Sequence, residues 1–205
     1  MLLWYVAGSQ YNRRQSIRAL NWLREGLALL GGEVQAAWIG SATTGAKVAV
    51  QKPAPPFRQL EVTFLLESRE WLPLWLLNLV RGRRDDLTIK AELRSSGQGE
   101  IQVVPAGSRL ERSLREDGQP VWDWRVGPHS LRIAYRGKQA EALSTALMPF
   151  LQDYGFFVRH LAWRREKPHF ILHLRLAGLT GCSPVDFFND LRTAFVHSRQ
   201  TAEDE

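Results

Sequence analysis

Five histidines (His129, His160, His169, His173, His197) and one cysteine, Cys182, are the residues whose chemistry could build a catalytic or metal site. His169 and His173 lie four apart on a predicted strand, where i and i+4 share a face but stand about 13 Å apart, too far to hold one ion together. A two-histidine site is possible if His160 faces His173 or His169 across the hairpin that the sequence predicts. No HExxH, cysteine pair or clustered aspartate motif accompanies them. Cys182 stands between Gly181 and Ser183, just before a predicted helix whose N-terminus could lower a thiol pKa. His197 falls at the far end of that helix, so no Cys–His pair is implied locally. Gly40-Ser41-Ala42-Thr43-Thr44-Gly45-Ala46-Lys47 imitates a phosphate loop, but Ala46 intervenes before Lys47, Val48 follows it, and a strand stands where the helix is needed. There is no Gly-x-Ser-x-Gly elbow either. The expectation is a protein that is not an enzyme and carries no cofactor or metal.

Binding chemistry is better represented. Lys+Arg is 27 against 21 Asp+Glu, for a net charge of +6, and nearly all the cations are Arg, whose planar fork suits phosphate and carboxylate. Eight Trp are present, a residue favoured in cores, at membrane–water interfaces and at binding hot spots. The 205 residues, 44% hydrophobic and 23% charged, fit one large or two small globular domains, and a lone cysteine excludes a disulfide framework.

These residues sit on a legible series of elements. Residues 1–10, apolar from Met1 to Ala7, read as an N-terminal segment that is either a buried strand or the truncated inner end of a membrane helix. In the second reading Trp4 and Tyr5 lie at headgroup level, and Arg13, Arg14 and Arg18 form the positive-inside flank. Residues 12–30 carry a helical stripe of Leu20, Leu23, Leu27 and Leu30, stopped by Gly31-Gly32. Strands follow at Val34–Ile39, Lys47–Val50 and Leu60–Leu66. The spacing predicts a helix over Arg69–Arg81 with Ser68 as N-cap. It is apolar nearly all round, including Trp71 and Trp75, so it must be buried or face something apolar. Arg81, Arg83 and Arg84 close it. Strands at Leu87–Leu93 and Ile101–Val104 end the first α+β lobe, 11–104. Residues 105–128 read as a linker with a helical turn, and Trp122 and Trp124 share one face of a short strand. The second lobe, 129–198, reads as strand Ser130–Tyr135, helix Gln139–Tyr154, a hairpin of Phe156–Arg165 and His169–Ala177, and a helix capped by Ser183 with Pro184 in its first turn. An acidic tail, 199–205, follows.

The order β-α-β-β-α in the second half resembles an ACT-like ferredoxin-fold module. The fold expected is therefore α+β: two ferredoxin-like lobes, antiparallel sheets with helices packed on one face. Tyr11-Asn12-Arg13-Arg14 leading into Ala19 to Leu27, and Trp71 to Leu77 followed by Arg81-Gly82-Arg83-Arg84-Asp85, are similar to a group of uncharacterised bacterial proteins. Those proteins carry one N-terminal membrane helix before a cytoplasmic α+β region. The resemblance implies a place at the cytoplasmic face of the inner membrane, peripheral or single-pass anchored, and no chemistry. The order Trp4-Tyr5 then Arg13-Arg14, with the all-apolar helix carrying Trp71 and Trp75, points to a membrane surface, a membrane protein or another protein as partner. Trp4, Tyr5, Arg13, Arg14, Trp71, Trp75, Arg81, Arg83 and Arg84 are the candidate contacts. Nucleic acid is the competing partner, through Arg/Trp surfaces on a ferredoxin-like sheet.

Overall fold

A computed structural model describes residues 2–94, 99–116 and 122–203, with side chains to residue 196. In chain order the elements are α1 (Leu2–Ala28), β1 (Glu33–Trp38), β2 (Gly45–Gln51), β3 (Phe57–Leu65), α2 (Leu72–Val80), β4 (Asp86–Leu93) and β5 (Glu100–Pro105). Then come α3 (Arg109–Glu116), β6 (Asp123–Val126), β7 (Leu131–Arg136), α4 (Ala140–Ala146), α5 (Met148–Tyr154), β8 (Val158–Trp163), β9 (Phe170–Arg175) and α6 (Pro184–Glu203).

The architecture is α+β, and the nine strands of the described residues join one antiparallel sheet in the order β1-β2-β3-β4-β9-β8-β5-β7-β6. Where two separate sheets were expected, β4 pairs with β9 and fuses the halves. Strict alternation in the central strands explains why this register holds. Val62, Phe64, Leu87, Ile89, Leu172 and Leu174 are buried on one face, while Glu61, Thr88, Lys90 and His173 point to the other. A one-residue slip would reverse every one of these positions.

Helices α1, α4, α5 and α6 cover the apolar face, meeting the strands in one continuous core. Phe150, Phe187, Phe188 and Phe195 fill it, and Trp22 packs on both Phe187 and Phe188 while its indole donates to the Cys182 carbonyl at 2.8 Å. Gly26 permits this crossing, because a Cβ there would run into the Phe188 ring. Helix α2 stands outside this layer, and α3 lies on the other face. Glu111 of α3 lies 4.0 Å from Arg132, which alternates with the core residues Leu131 and Ile133 and so belongs to the opposite face.

Several boundaries differ from the sequence expectation for physical reasons. The apolar start is neither a strand nor a separate segment, since residues from Leu2 are the first turns of α1. The helix expected over 69–81 begins only at Leu72, with Trp71 at its N-cap and no side-chain cap, because Arg69 is drawn into a polar cluster. Residues 105–128 hold α3 and β6 as well as connections, and 117–121 lie outside the described residues. The helix expected over 139–154 is split into α4 and α5, with Pro149 in the first turn of the second piece. Ser183 caps α6 as expected, its Oγ accepting the Asp186 N–H at 3.2 Å. Of the acidic tail, 199–203 continue α6, and Asp204 and Glu205 lie outside the described residues.

Candidate apolar surface on the first two helices

The N-terminal half of α1 meets the segment that leads into α2, and α2 itself, at two levels. At one level Gly8 abuts the backbone of Arg69 so closely that a Cβ would collide with its carbonyl oxygen. At the next level Trp4 packs on Trp75, ring centroids 5.6 Å apart. Chain numbers fall on α1 as they rise through Arg69 and Trp75, so the two segments run antiparallel.

A buried polar cluster fixes this junction. Asn12, 1% exposed, donates to the carbonyls of Thr43 (3.0 Å) and Glu67 (2.8 Å) and accepts from Arg69 Nη1 (2.7 Å). Arg69 also grips both oxygens of Asp85, and Asp85 Oδ1 accepts the Glu67 N–H at 2.9 Å. The Arg69 guanidinium lies 4.8 Å over the Tyr11 ring. Asn78, the one buried residue of α2, donates to the Glu67 carboxylate at 2.9 Å. Polar groups thus occupy the place a core would take between α2 and the body.

The result reverses ordinary burial. Helix α2 is almost wholly apolar, yet Trp71 is 69% and Val80 86% exposed, and Leu74, Leu76 and Leu77 are also exposed. Leu2, Leu3, Tyr5 and Val6 are exposed on the adjoining turns of α1, with Leu3 at 87%. Of the two expectations for this helix, burial is therefore incorrect. Its inward contacts are taken by Trp75 and Asn78, which leaves the leucines outside. An apolar concentration on this scale differs from the singly scattered exposed leucines of an ordinary surface.

Arginines border it. Arg81, Arg83 and Arg84 are exposed directly after α2, and Arg13, Arg14 and Arg18 are exposed on α1 beyond Asn12. Of the nine candidate contacts, Trp4 and Trp75 are half-buried against each other, while Tyr5, Trp71 and the five arginines are exposed. Sequence reasoning missed Asn12, Glu67, Arg69 and Asn78. An asparagine at a core-facing helix position was the only local signal for them.

The histidines assemble elsewhere. His160 and His173 face each other across β8 and β9, rings stacked at 5.8 Å on the sheet face opposite the main core. His160 Nε2 meets Gln102 Oε1 at 2.7 Å and His173 Nδ1 meets Thr88 Oγ1 at 3.0 Å. Burial, with His173 and Arg164 alongside, pulls His160 down to about 4; burial, Lys90 and two arginines lower His173. His169 is separate and buried, its Nδ1 accepting the Leu93 N–H at 3.0 Å. His129 bonds the Gln152 carbonyl, and the side chain of His197 lies outside the described residues. Among the described residues no group of three or more His, Cys, Asp or Glu is placed to hold a metal ion.

The tryptophans do not form one aromatic platform. Trp22 and Trp163 are in the core, and Trp122 and Trp124 are covered by Arg136 and Arg115 at 4.3 and 4.2 Å. The turn from Ser41 to Thr44 is hydrogen-bonded to itself and to Glu70, with no helix following it. No described helix is long and apolar enough to cross a membrane. No protein-family model matches this sequence, and no curated protein matches it significantly.

Proposed function

We propose that the protein is a non-catalytic interaction module that docks on the cytoplasmic face of a bacterial inner membrane through α1 and α2. The carrying observation is the apolar surface of Leu3, Val6, Trp71, Leu74, Leu77 and Val80 beside exposed arginines. Buried apolar area and attraction to anionic headgroups add in such a contact, and tryptophan suits the boundary between them. With α2 lying in the interface, the arginines that end it meet the phosphates. A membrane protein is the related partner, since the same apolar face would pack on a membrane helix.

The ferredoxin-like, ACT-like reading of the second half rests on the order β7, α4/α5, β8, β9, α6. A small-molecule regulatory role is a subordinate variant by that analogy. Nucleic acid remains the second partner class, on the exposed arginines alone, since Arg115 and Arg136 cover the Trp124 and Trp122 faces that bases would need.

Co-sedimentation with lipid vesicles tests the proposal. The purified chain should pellet with vesicles containing anionic phospholipid, less with zwitterionic ones, and a Leu77→Asp, Val80→Asp variant should stay in the supernatant. A chain that stays soluble with anionic vesicles at low salt would refute membrane docking. Tight, salt-dependent oligonucleotide binding in the same buffer would favour the second reading.

A further inference from the structure

Strand β1 is an edge of the sheet, bonded to β2 alone. Five of its six residues are exposed, and among the described residues nothing pairs with its outer side. Natural edges of this kind are usually blunted by lysine, proline, a bulge or a covering loop. Between Val34 and Ile39 there is no charge and no proline, and the β1–β2 register runs without a bulge. The opposite edge, β6, is only 4 residues long and adjoins the Arg115–Trp124 stack.

The hydrogen-bond phase shows what the free edge offers. Ile39 N–H donates to the Gly45 carbonyl at 2.9 Å, and Leu66 N–H donates to the Thr44 carbonyl at 2.7 Å. Odd residues of β1 therefore bond inward to β2, and the N–H and C=O groups of Val34, Ala36 and Trp38 point outward. All three side chains stand opposite core residues of β2, namely Val50, Val48 and Ala46. Trp38 is nonetheless 44% exposed.

We propose that the partner of this edge is the β1 strand of a second copy, paired antiparallel about a two-fold axis centred on Ala36. That register uses all the outward groups: Ala36 meets Ala36 of the other copy, and Val34 meets Trp38, twice. An aromatic opposite a β-branched residue is a favourable cross-strand pair, and the half-exposed indole gains a neighbour. Glu33 falls opposite Ile39, so no like charges meet. An isologous contact of this kind closes on itself and leaves no free β1 edge. One strand pair buries less than about 1,200 Å², so the association is weak, in the micromolar range. It is independent of the membrane surface on α1 and α2.

Sedimentation equilibrium of the full chain at about 10 to 100 µM, the range of a weak contact, reads the association directly. A mass moving toward twice the monomer, lost in Ala36→Pro, supports the pairing. Proline there removes an outward N–H and leaves the β1–β2 ladder intact. A persistent monomer, or a dimer that a folded Ala36→Pro retains, overturns it. Disulfide trapping in a Cys182→Ser background decides the register even if the proline variant does not fold. Directly opposed residues stand about 5.5 Å apart, within disulfide reach. Ala36→Cys should cross-link, and Ala37→Cys, two positions out of register with itself, should not. Equal cross-linking at both positions, or at neither, overturns the proposal.

Discussion

Arg69 meets Asp85 with both guanidinium nitrogens, Nη1 to Oδ1 at 3.1 Å and Nη2 to Oδ2 at 2.7 Å, while Nη1 also reaches the Asn12 amide oxygen at 2.7 Å. The pair is mostly buried, with side chains 18% and 11% exposed. One planar cation thereby ties α1, the segment before α2 and the segment before β4. Removing it strands Asp85 and leaves Asn12 short of a donor. Arg69→Ala should lower stability by about 2 to 4 kcal/mol, read by urea denaturation. Arg69→Lys should fail to restore it, because an ammonium cannot reproduce the fork.

Gly8 and Gly26 should tolerate no side chain, for different reasons. At Gly26 the obstacle is the Phe188 ring in the core, so Gly26→Ala should cost about 1 to 3 kcal/mol of global stability. At Gly8 the obstacle is the Arg69 backbone outside the core. Gly8→Ala should prise α1 from α2 with a smaller loss of global stability. Trp4 and Trp75 would separate, and the tryptophan fluorescence emission should shift to the red.

The exposed leucines should be dispensable for folding. Leu77→Ser and Val80→Ser should each change stability by no more than about 0.5 kcal/mol, as expected where the side chain already meets water. Leu27→Ala, at a fully buried position of α1, should cost about 2 to 5 kcal/mol. Thermal melts of the three variants make the comparison.

Acid should weaken the fold through His160. Its folded pKa is pulled down to about 4 from 6.5, so the unfolded chain takes up the proton first as pH falls. Stability from this group is intact above pH 6.5, declines as pH drops toward 4, and is gone below that. Urea midpoints at pH 7, 6 and 5 should fall in order, and His160→Gln should flatten the decline.

Alternation and helical stripes made the elements legible in the sequence. Leu87, Ile89, Ala91 and Leu93 announced a strand whose partners lie on one face, and Ser183 with Pro184 announced the start of α6. These signals are local, set by backbone periodicity and capping. Strand order is not local: β4 and β9 are joined by complementary faces some eighty residues apart in sequence, and no period in either strand names the other. The apolar character of residues 71–80 was equally plain from the sequence, and so were the arginines beside it. Whether those leucines faced inward depended on Asn12, Glu67, Arg69 and Asp85, four polar residues from three segments that bond to one another and occupy the ground beneath α2. The sequence by itself determined that this stretch is a greasy helix ended by cations. Only the tertiary structure decided that it is displayed, because the polar cluster satisfies its own hydrogen bonds and leaves the leucines no interior to enter.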